Sequence, residues 1–300
     1  MFFKKMVDRF KENVLAPELT FSDAKVLAML AVIHSDEKDE MKREMGLMEA
    51  LCAFDQRLAG IAIPDYVKQF TEYGKDLDFL FEKLEDSMLS RDDKMDLLAS
   101  VYLLASIDGY ISKEETQILH RLAKTLRMTL EDIQTVEEHS KYITDTLNKY
   151  HLLDHETVES SSTEISLSKA RILAMLAVIH SDEKSDVSRE LGLMRALYSF
   201  DRSGEKLDFQ EIQSSFEEYA NNMDRLFQVL LTSITEKSAK FDVFSSAFLL
   251  AAIDGDISDR EIQFMDRLAD TLNLTDDEVV KIRHHSHSLI ATMKELRILS

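Results

Sequence analysis

The chain is expected to be all-α, folded as two tandem multi-helix bundles of about seven helices each. Three observations predict this. Its 300 residues hold only 2 Pro and 7 Gly, too few turn formers for a fold of many short strands and well suited to long helices joined by short loops. Its apolar runs are rich in Ala, Leu and Met and poor in β-branched residues, which favours helix over strand. The sequence also repeats itself. AMLAVIHSDEK stands at 28–38 and again at 174–184. REMGLMEALCAFD from Arg43, SIDGYISKEE from Ser106 and RLAKTLRMTLEDI from Arg121 return as RELGLMRALYSFD from Arg189, AIDGDISDRE from Ala252 and RLADTLNLTDDEV from Arg267, all at one offset of 146 residues. A constant offset means that the loops between these blocks have equal length in both copies, so each repeat is one structural unit.

The boundaries follow from composition. HETVESSSTEISLS, from His155 to Ser168, is polar and has no helical apolar stripe, so it reads as a linker. The expected division is an amphipathic N-terminal segment at 1–17, a first helical domain at 18–153, a polar linker at 154–163 and a second helical domain at 164–300.

Within each repeat the first helix is FSDAKVLAMLAVIH, from Phe21 to His34. Ser22 is expected as its N-cap, with Lys25 where a capping Glu would stand, and Ser168 takes the Ser22 position in the second copy. Its centre, VLAMLAVI, is apolar all round, as the central helix of a bundle must be. A second helix from about Glu40 to Phe54 (Asp186 to Phe200) repeats Met41, Met45, Met48, Leu51 and Cys52 at helical spacing. Pro64 suits the first turn of the next helix, where its missing N–H costs nothing. Further helices fit Pro64 to Tyr73, Leu77 to Met88 and Asp92 to Ile107. Another follows Ser112 and ends near Leu126, and the last follows Thr129.

Charge and cysteine content narrow the function. A formal net charge of -20 opposes nucleic acid and anionic lipid and favours cationic partners or divalent cations. The one cysteine, Cys52, has no internal partner and sits in an apolar helical run, the setting of a buried inert thiol. No run is long enough to span a bilayer. The start is different in character. In MFFKKMVDRFKENVL, Lys4, Lys5, Arg9 and Lys11 outnumber Asp8 and Glu12, and Phe2, Phe3, Met6, Phe10 and Val14 can share one helix face. Residues 1–15 therefore read either as a peripheral membrane contact or as a helix packed on a partner or on the first domain.

The most distinctive motif is D-G-x-I-S-x-x-E, at Asp108–Glu115 and again at Asp254–Glu261. Two readings stand. In the first, the motif is a turn-and-cap device. Asp108 caps turn N–H groups, Gly109 takes a positive φ, Ile111 inserts into the core, and Ser112 with Glu115 forms a capping box. In the second, the carboxylates bind Ca²⁺ or Mg²⁺. An EF-hand would need oxygen ligands where Leu250 and Ala252 stand, so the motif would need help from another loop. H-S-D-E-K after the central helix supplies it. The combined set is Asp108, Glu115, Asp36, Glu37 and Glu44 in the first copy, and Asp254, Glu261, Asp182, Glu183 and Glu190 in the second. His34 and His180, at the end of the central helix, also suit a C-terminal cap. His284, His285 and His287 stand where the first copy has Glu138, His139 and Lys141, so the cluster is not shared and reads as incidental surface residues. No glycine-rich phosphate loop, HExxH, CxxC or G-x-S-x-G is present, so no catalytic constellation emerges.

An apolar helix, D-G-x-I-S-x-x-E, an amphipathic helix and then an L-x-L-T-type turn, with M-T-L-E-D from Met128 and L-T-D-D-E from Leu274, resemble the tellurite-resistance TerB-like domain in two tandem copies. The pattern is also similar to the region preceding the J-domain of a membrane-linked DnaJ-like protein. The resemblance implies an all-helical bundle with an acidic surface. It also implies a metal site at Asp108, Glu115, Asp254 and Glu261, and a role in metal-linked stress response or in assemblies at the inner face of a bacterial membrane. Family members carry a further D-G-x-x-x-x-x-E after the central helix, where this chain reads H-S-D-E-K without the Gly.

The expectation is therefore a cytoplasmic, non-enzymatic binding or regulatory module, peripheral to the inner membrane if residues 1–15 anchor it. It would act on a protein partner and not on nucleic acid, with Ca²⁺ or Mg²⁺ tuning the acidic loops. The alternatives are a metal-free interaction scaffold and a metal-dependent hydrolase.

Overall fold

A computed structural model describes residues 20–35, 41–58, 61–73, 77–86, 89–149, 152, 165–181, 187–199 and 209–299. The N-terminal segment 1–17, the linker 154–163, and Asp36, Glu37, Asp182 and Glu183 lie outside the described residues. Among the described residues there are fourteen α-helices and no strand, seven helices in each repeat. In the first repeat these are α1 (Phe21–Ile33), α2 (Met41–Phe54), α3 (Ile63–Tyr73), α4 (Leu77–Asp86), α5 (Arg91–Ser106), α6 (Lys113–Thr125) and α7 (Leu130–Lys149), with a 3₁₀ turn at Gln56–Leu58. In the second they are α8 (Leu167–Ser181), α9 (Ser188–Ser199), α10 (Phe209–Ala220), α11 (Met223–Ser233), α12 (Lys237–Ala252), α13 (Asp259–Leu272) and α14 (Asp276–Glu295). The chain divides into two compact units, Met1–Thr144 with Met293–Ser300, and Asp145–Thr292.

Each unit is organised around one helix. In α1 every residue from Ala24 to Ile33 is buried, and α1 packs against α2, α3, α4, α5 and α6. In the second unit, α8 is buried from Ala170 to Val178 and packs against α9 to α13. The closest partner is α5 for α1 and α12 for α8. Those partners are themselves buried over long runs, Asp96 to Ala105 and Asp242 to Ala252. Two such helices are each other's environment, and a fully buried Leu, Ile or Met in them contributes about 1.5–3 kcal/mol.

The helix starts correct one expectation. α1 is capped by Thr20, not by Ser22. The Thr20 hydroxyl accepts from the Asp23 N–H at 3.2 Å, and the Asp23 carboxylate accepts from the Thr20 N–H at 3.3 Å, completing a capping box. Ser22 instead donates its hydroxyl to the Arg57 carbonyl at 3.0 Å. In the second unit Ser166, not Ser168, accepts from the Lys169 N–H at 3.2 Å. The cap lies two residues earlier because Phe21 and Leu167 belong to the helix rather than to its lead-in. Lys25 is then not a failed capping residue but a core residue.

The ends of α6 and α13 also match. The next-but-one N–H returns to the helix, Met128 to the Ala123 carbonyl and Leu274 to the Ala269 carbonyl, both at 3.0 Å. This closure needs a left-handed residue, supplied by Arg127 (φ 56°) and Asn273 (φ 53°). Among the described residues no helix is long and apolar enough to cross a membrane.

Candidate functional site

The D-G-x-I-S-x-x-E segments join α5 to α6 and α12 to α13. The chain leaves the helix with the Gly109 N–H bonded to the Ser106 carbonyl at 2.9 Å, and Gly255 to Ala252 at 3.0 Å. Both glycines are left-handed, φ 85° and 97°, a conformation that disfavours any residue with a Cβ. Asp108 accepts from the Tyr110 N–H at 3.1 Å and Asp254 from the Asp256 N–H at 3.2 Å, each closing a side-chain turn. The Ser112 hydroxyl accepts from the Glu115 N–H at 3.1 Å, and one Glu115 oxygen accepts from the Ser112 N–H at 2.6 Å. Ser258 and Glu261 do the same at 3.2 and 2.8 Å. Glu115 and Glu261 are buried, and Asp108 and Asp254 half-buried.

One expected detail is corrected. Ile111 and Ile257 are only half-buried, and the fully buried isoleucines are Ile107 and Ile253, at the helix ends. The turn carries the motif's isoleucine along the surface before the next helix begins, so the core contact comes from the residue ahead of the Asp-Gly pair.

Glu44 and Glu190, the other described members of the expected metal set, are buried in the first turns of α2 and α9. Among the described residues no three His, Cys, Asp or Glu side chains come together so as to hold a metal ion. The two loop ends do meet in the first unit. His34 and Ser35, at the end of α1, border the same cavity as Glu114, on the first turn of α6. Glu115 turns inward to cap while its neighbour Glu114 faces that cavity. Sequence reasoning missed Glu114 because it fills a variable position of the motif. Its signal was the helical register, which sends two adjacent residues to different faces.

A second cluster was also missed. Lys25, on α1, is fully buried and places its Nζ 2.7 Å from Asp96 on α5 and 3.4 Å from Asp55 after α2. Arg57 closes the cluster. It donates to Asp55 from its backbone N–H, Nε and Nη2 at 3.0, 2.9 and 2.8 Å, and to Asp96 from Nη2 at 2.9 Å. The Arg57 guanidinium also lies over the Phe21 ring, 3.8 Å from its centre. The two carboxyls respond differently. Burial acts upward on Asp55, but the hydrogen bonds from Arg57 and the charge of Lys25 outweigh it and hold the group below its ordinary range. At Asp96 burial wins and the pKa is raised. Beside them Cys52 is buried, and burial pushes its thiol up to about 12, an unreactive state. The cluster is sealed from solvent at Lys25, Asp55 and Asp96, so its chemistry is cohesion between α1, α2 and α5 rather than turnover.

In the second unit the counterparts of Asp55 and Arg57 lie outside the described residues. Arg171, at the Lys25 position, is buried and bonds to the Leu197 carbonyl and, at 3.4 Å, to Asp242, at the Asp96 position. Other ion pairs recur at corresponding positions. Arg91–Asp132 and Lys237–Glu278 tie corresponding helix starts at 2.7 and 2.6 Å. Arg121–Asp78 and Arg267–Asp224 are corresponding ion pairs, each with its guanidinium 4.2 Å from a ring centre, Phe81 and Phe227. The histidine trio is not shared. His284 and His285 lie with ring centres 5.6 Å apart, His287 meets Phe248 edge-on, and burial lowers the His285 pKa.

Compared with known proteins, residues 168–284 match the family model described as tellurite resistance protein TerB. That span runs from α8 into α14 and includes Asp254–Glu261. No curated protein and no solved structure matches the chain.

Proposed function

We propose that this protein is a non-enzymatic binding module of two TerB-like domains, docking a protein partner in the response to tellurite or metal stress. The observation that carries it is the TerB match over 168–284 together with the recurrence of its elements in the first repeat. The central helix, the Asp-Gly turn, the Ser–Glu capping box and the left-handed helix closure all return at the offset of 146. The net charge of -20 selects a partner with a basic face and works against nucleic acid. The test is tellurite tolerance of a host lacking the protein. Restoration by the wild-type gene, lost on deleting either repeat, is the expected result. Equal tolerance with and without the protein would remove the stress role.

Ca²⁺ or Mg²⁺ tuning is a second reading, favoured by the meeting of the two loop ends at the cavity that His34, Ser35 and Glu114 border. In that reading the oxygen ligands would come from Asp36, Glu37, Glu44, Asp108 and Glu115, with Asp182, Glu183, Glu190, Asp254 and Glu261 as their counterparts. Calorimetric titration of chelator-treated protein, beside D108N/D254N, decides it. Heat of binding seen with wild type and lost in the variant supports tuning. A folded wild type that takes up neither ion leaves the motif as a turn-and-cap device and the module metal-free.

A further inference from the structure

The first unit holds a cavity of about 380 Å³ at the C-terminal end of α1, walled by α3, α4 and α6. Its size falls in the range of small-molecule sites, and so does its make-up, an apolar body with a few convergent polar groups. The apolar part is Ala31, Phe70, Leu77, Phe81 and Ile118, and the polar part is His34, Ser35, Gln117, Glu114 and Arg121. Two of the polar groups are held in place. The His34 ring stacks on Phe70, centres 5.3 Å apart and planes 18° apart. The Arg121 guanidinium lies over Phe81 and is anchored from one side by Asp78, 2.6 Å from Nη2. Among the described residues Nη1 and Nε of Arg121 make no hydrogen bond, so the guanidinium keeps N–H donors for an acid group.

The corresponding residues also meet in the second unit, where the His–Phe pair is edge-on rather than stacked. His180 meets Phe216 with ring centres 5.7 Å apart, Arg267 lies over Phe227, and Asp224 anchors Arg267. Three positions differ, Met223 standing where the first unit has Leu77. Phe264 replaces Ile118 and packs on Phe227 at 5.4 Å, and Arg260 replaces Glu114. A ring where the first unit has an aliphatic chain narrows the space, while the shared fold shows that a ring is tolerated there.

We propose that this cavity of the first unit binds a small aromatic monoanion, its ring against Phe70 and Phe81 and its acid group on Arg121. The aromatic walls select a flat apolar body. Arg121 supplies the local cation that an anion needs on a chain of net charge -20. Glu114 at the cavity disfavours a second negative charge.

The test titrates full-length protein with benzoate, indole-3-carboxylate and 1-naphthoate, each beside its neutral amide, by saturation-transfer NMR and calorimetry. At least one acid is expected to bind one per chain with Kd below about 1 mM. Its amide should bind at least about tenfold more weakly. R121Q should weaken the acid to the level of the amide, and I118F, which installs the second unit's residue, should abolish both. R267Q should leave binding as in wild type, and circular dichroism should show all variants folded. No saturable binding by any of the three acids overturns the proposal. So does binding that survives I118F, or that R267Q removes in place of R121Q.

Discussion

The two units share a frame and differ inside it. In the first, Lys25 and Arg57 together hold Asp55 and Asp96 where α1, α2 and α5 converge. In the second, Arg171 reaches both Asp242 and the Leu197 carbonyl, and the counterparts of Asp55 and Arg57 lie outside the described residues. A lysine offers one compact charge and leaves acceptors for a second cation. An arginine spreads donors over a fork and satisfies two acceptors at once. The Ser112–Glu115 and Ser258–Glu261 capping boxes, the Asp-Gly turns and the left-handed closures, by contrast, hold the same positions in both units. Backbone geometry at a helix end admits few residue types, whereas a buried charge can be neutralised in several ways.

The largest effect should come from breaking the buried cluster. R171M removes the cation bonded to buried Asp242 and should cost about 3–5 kcal/mol. K25M should cost less, because Arg57 still bridges both carboxylates, while K25M/R57Q should exceed the sum of its two single losses. Urea unfolding followed by circular dichroism, with hydrogen exchange to assign each loss to a unit, measures this. Equal costs for K25M and R171M would show that the second cation in the first unit is idle.

Next come the central helices. Met29 and Met175 hold corresponding positions and are both fully buried. M29A and M175A should each cost about 2–5 kcal/mol and should agree with each other. A gap between them would show that one core relaxes around a cavity better than the other. S112A and S258A should each cost about 1 kcal/mol through loss of the cap, again equally.

The smallest effects separate the units at their surfaces. Arg127 occupies a left-handed position that its counterpart fills with Asn273, so R127N should gain up to about 1 kcal/mol and N273R should lose a similar amount. Lys237 holds Glu278 down to about 2 from an ordinary 4.5. A depressed carboxyl contributes stability that is present above 4.5 and is lost as pH falls toward 2. E278Q should flatten that acid limb in the second unit, with the effect reduced by solvent because the pair lies at the surface. Asp132, held down by Arg91, should give the same sign in the first unit under D132N.

Much of this was legible in the residues themselves. The 146-residue offset, the scarcity of Gly and Pro and the unbroken apolar runs are local or periodic signals, and they sufficed for the helical class and the central helices. The Ser–Glu boxes and Asp-Gly turns were readable for the same reason, since a cap is completed within four residues of chain. The misplaced Thr20 and Ser166 caps show the limit of such signals, because several hydroxyl residues near a helix start compete and packing chooses among them.

What only the tertiary structure decided involves residues far apart in sequence. Lys25 meets Asp96 across 71 positions and Arg171 meets Asp242 across the same separation, and nothing local in either stretch announces the pair. The cavity draws its lining from α1, α3, α4 and α6. Its division of labour, Glu115 turned inward to cap and Glu114 facing the open space, depends on how α6 is rotated against α1. Sequence determined which helices form and the turns and caps that close within a few residues of chain. Tertiary packing determined which charges are buried together and where space is left, because burial and distance are properties of neighbours that the chain brings together only on folding.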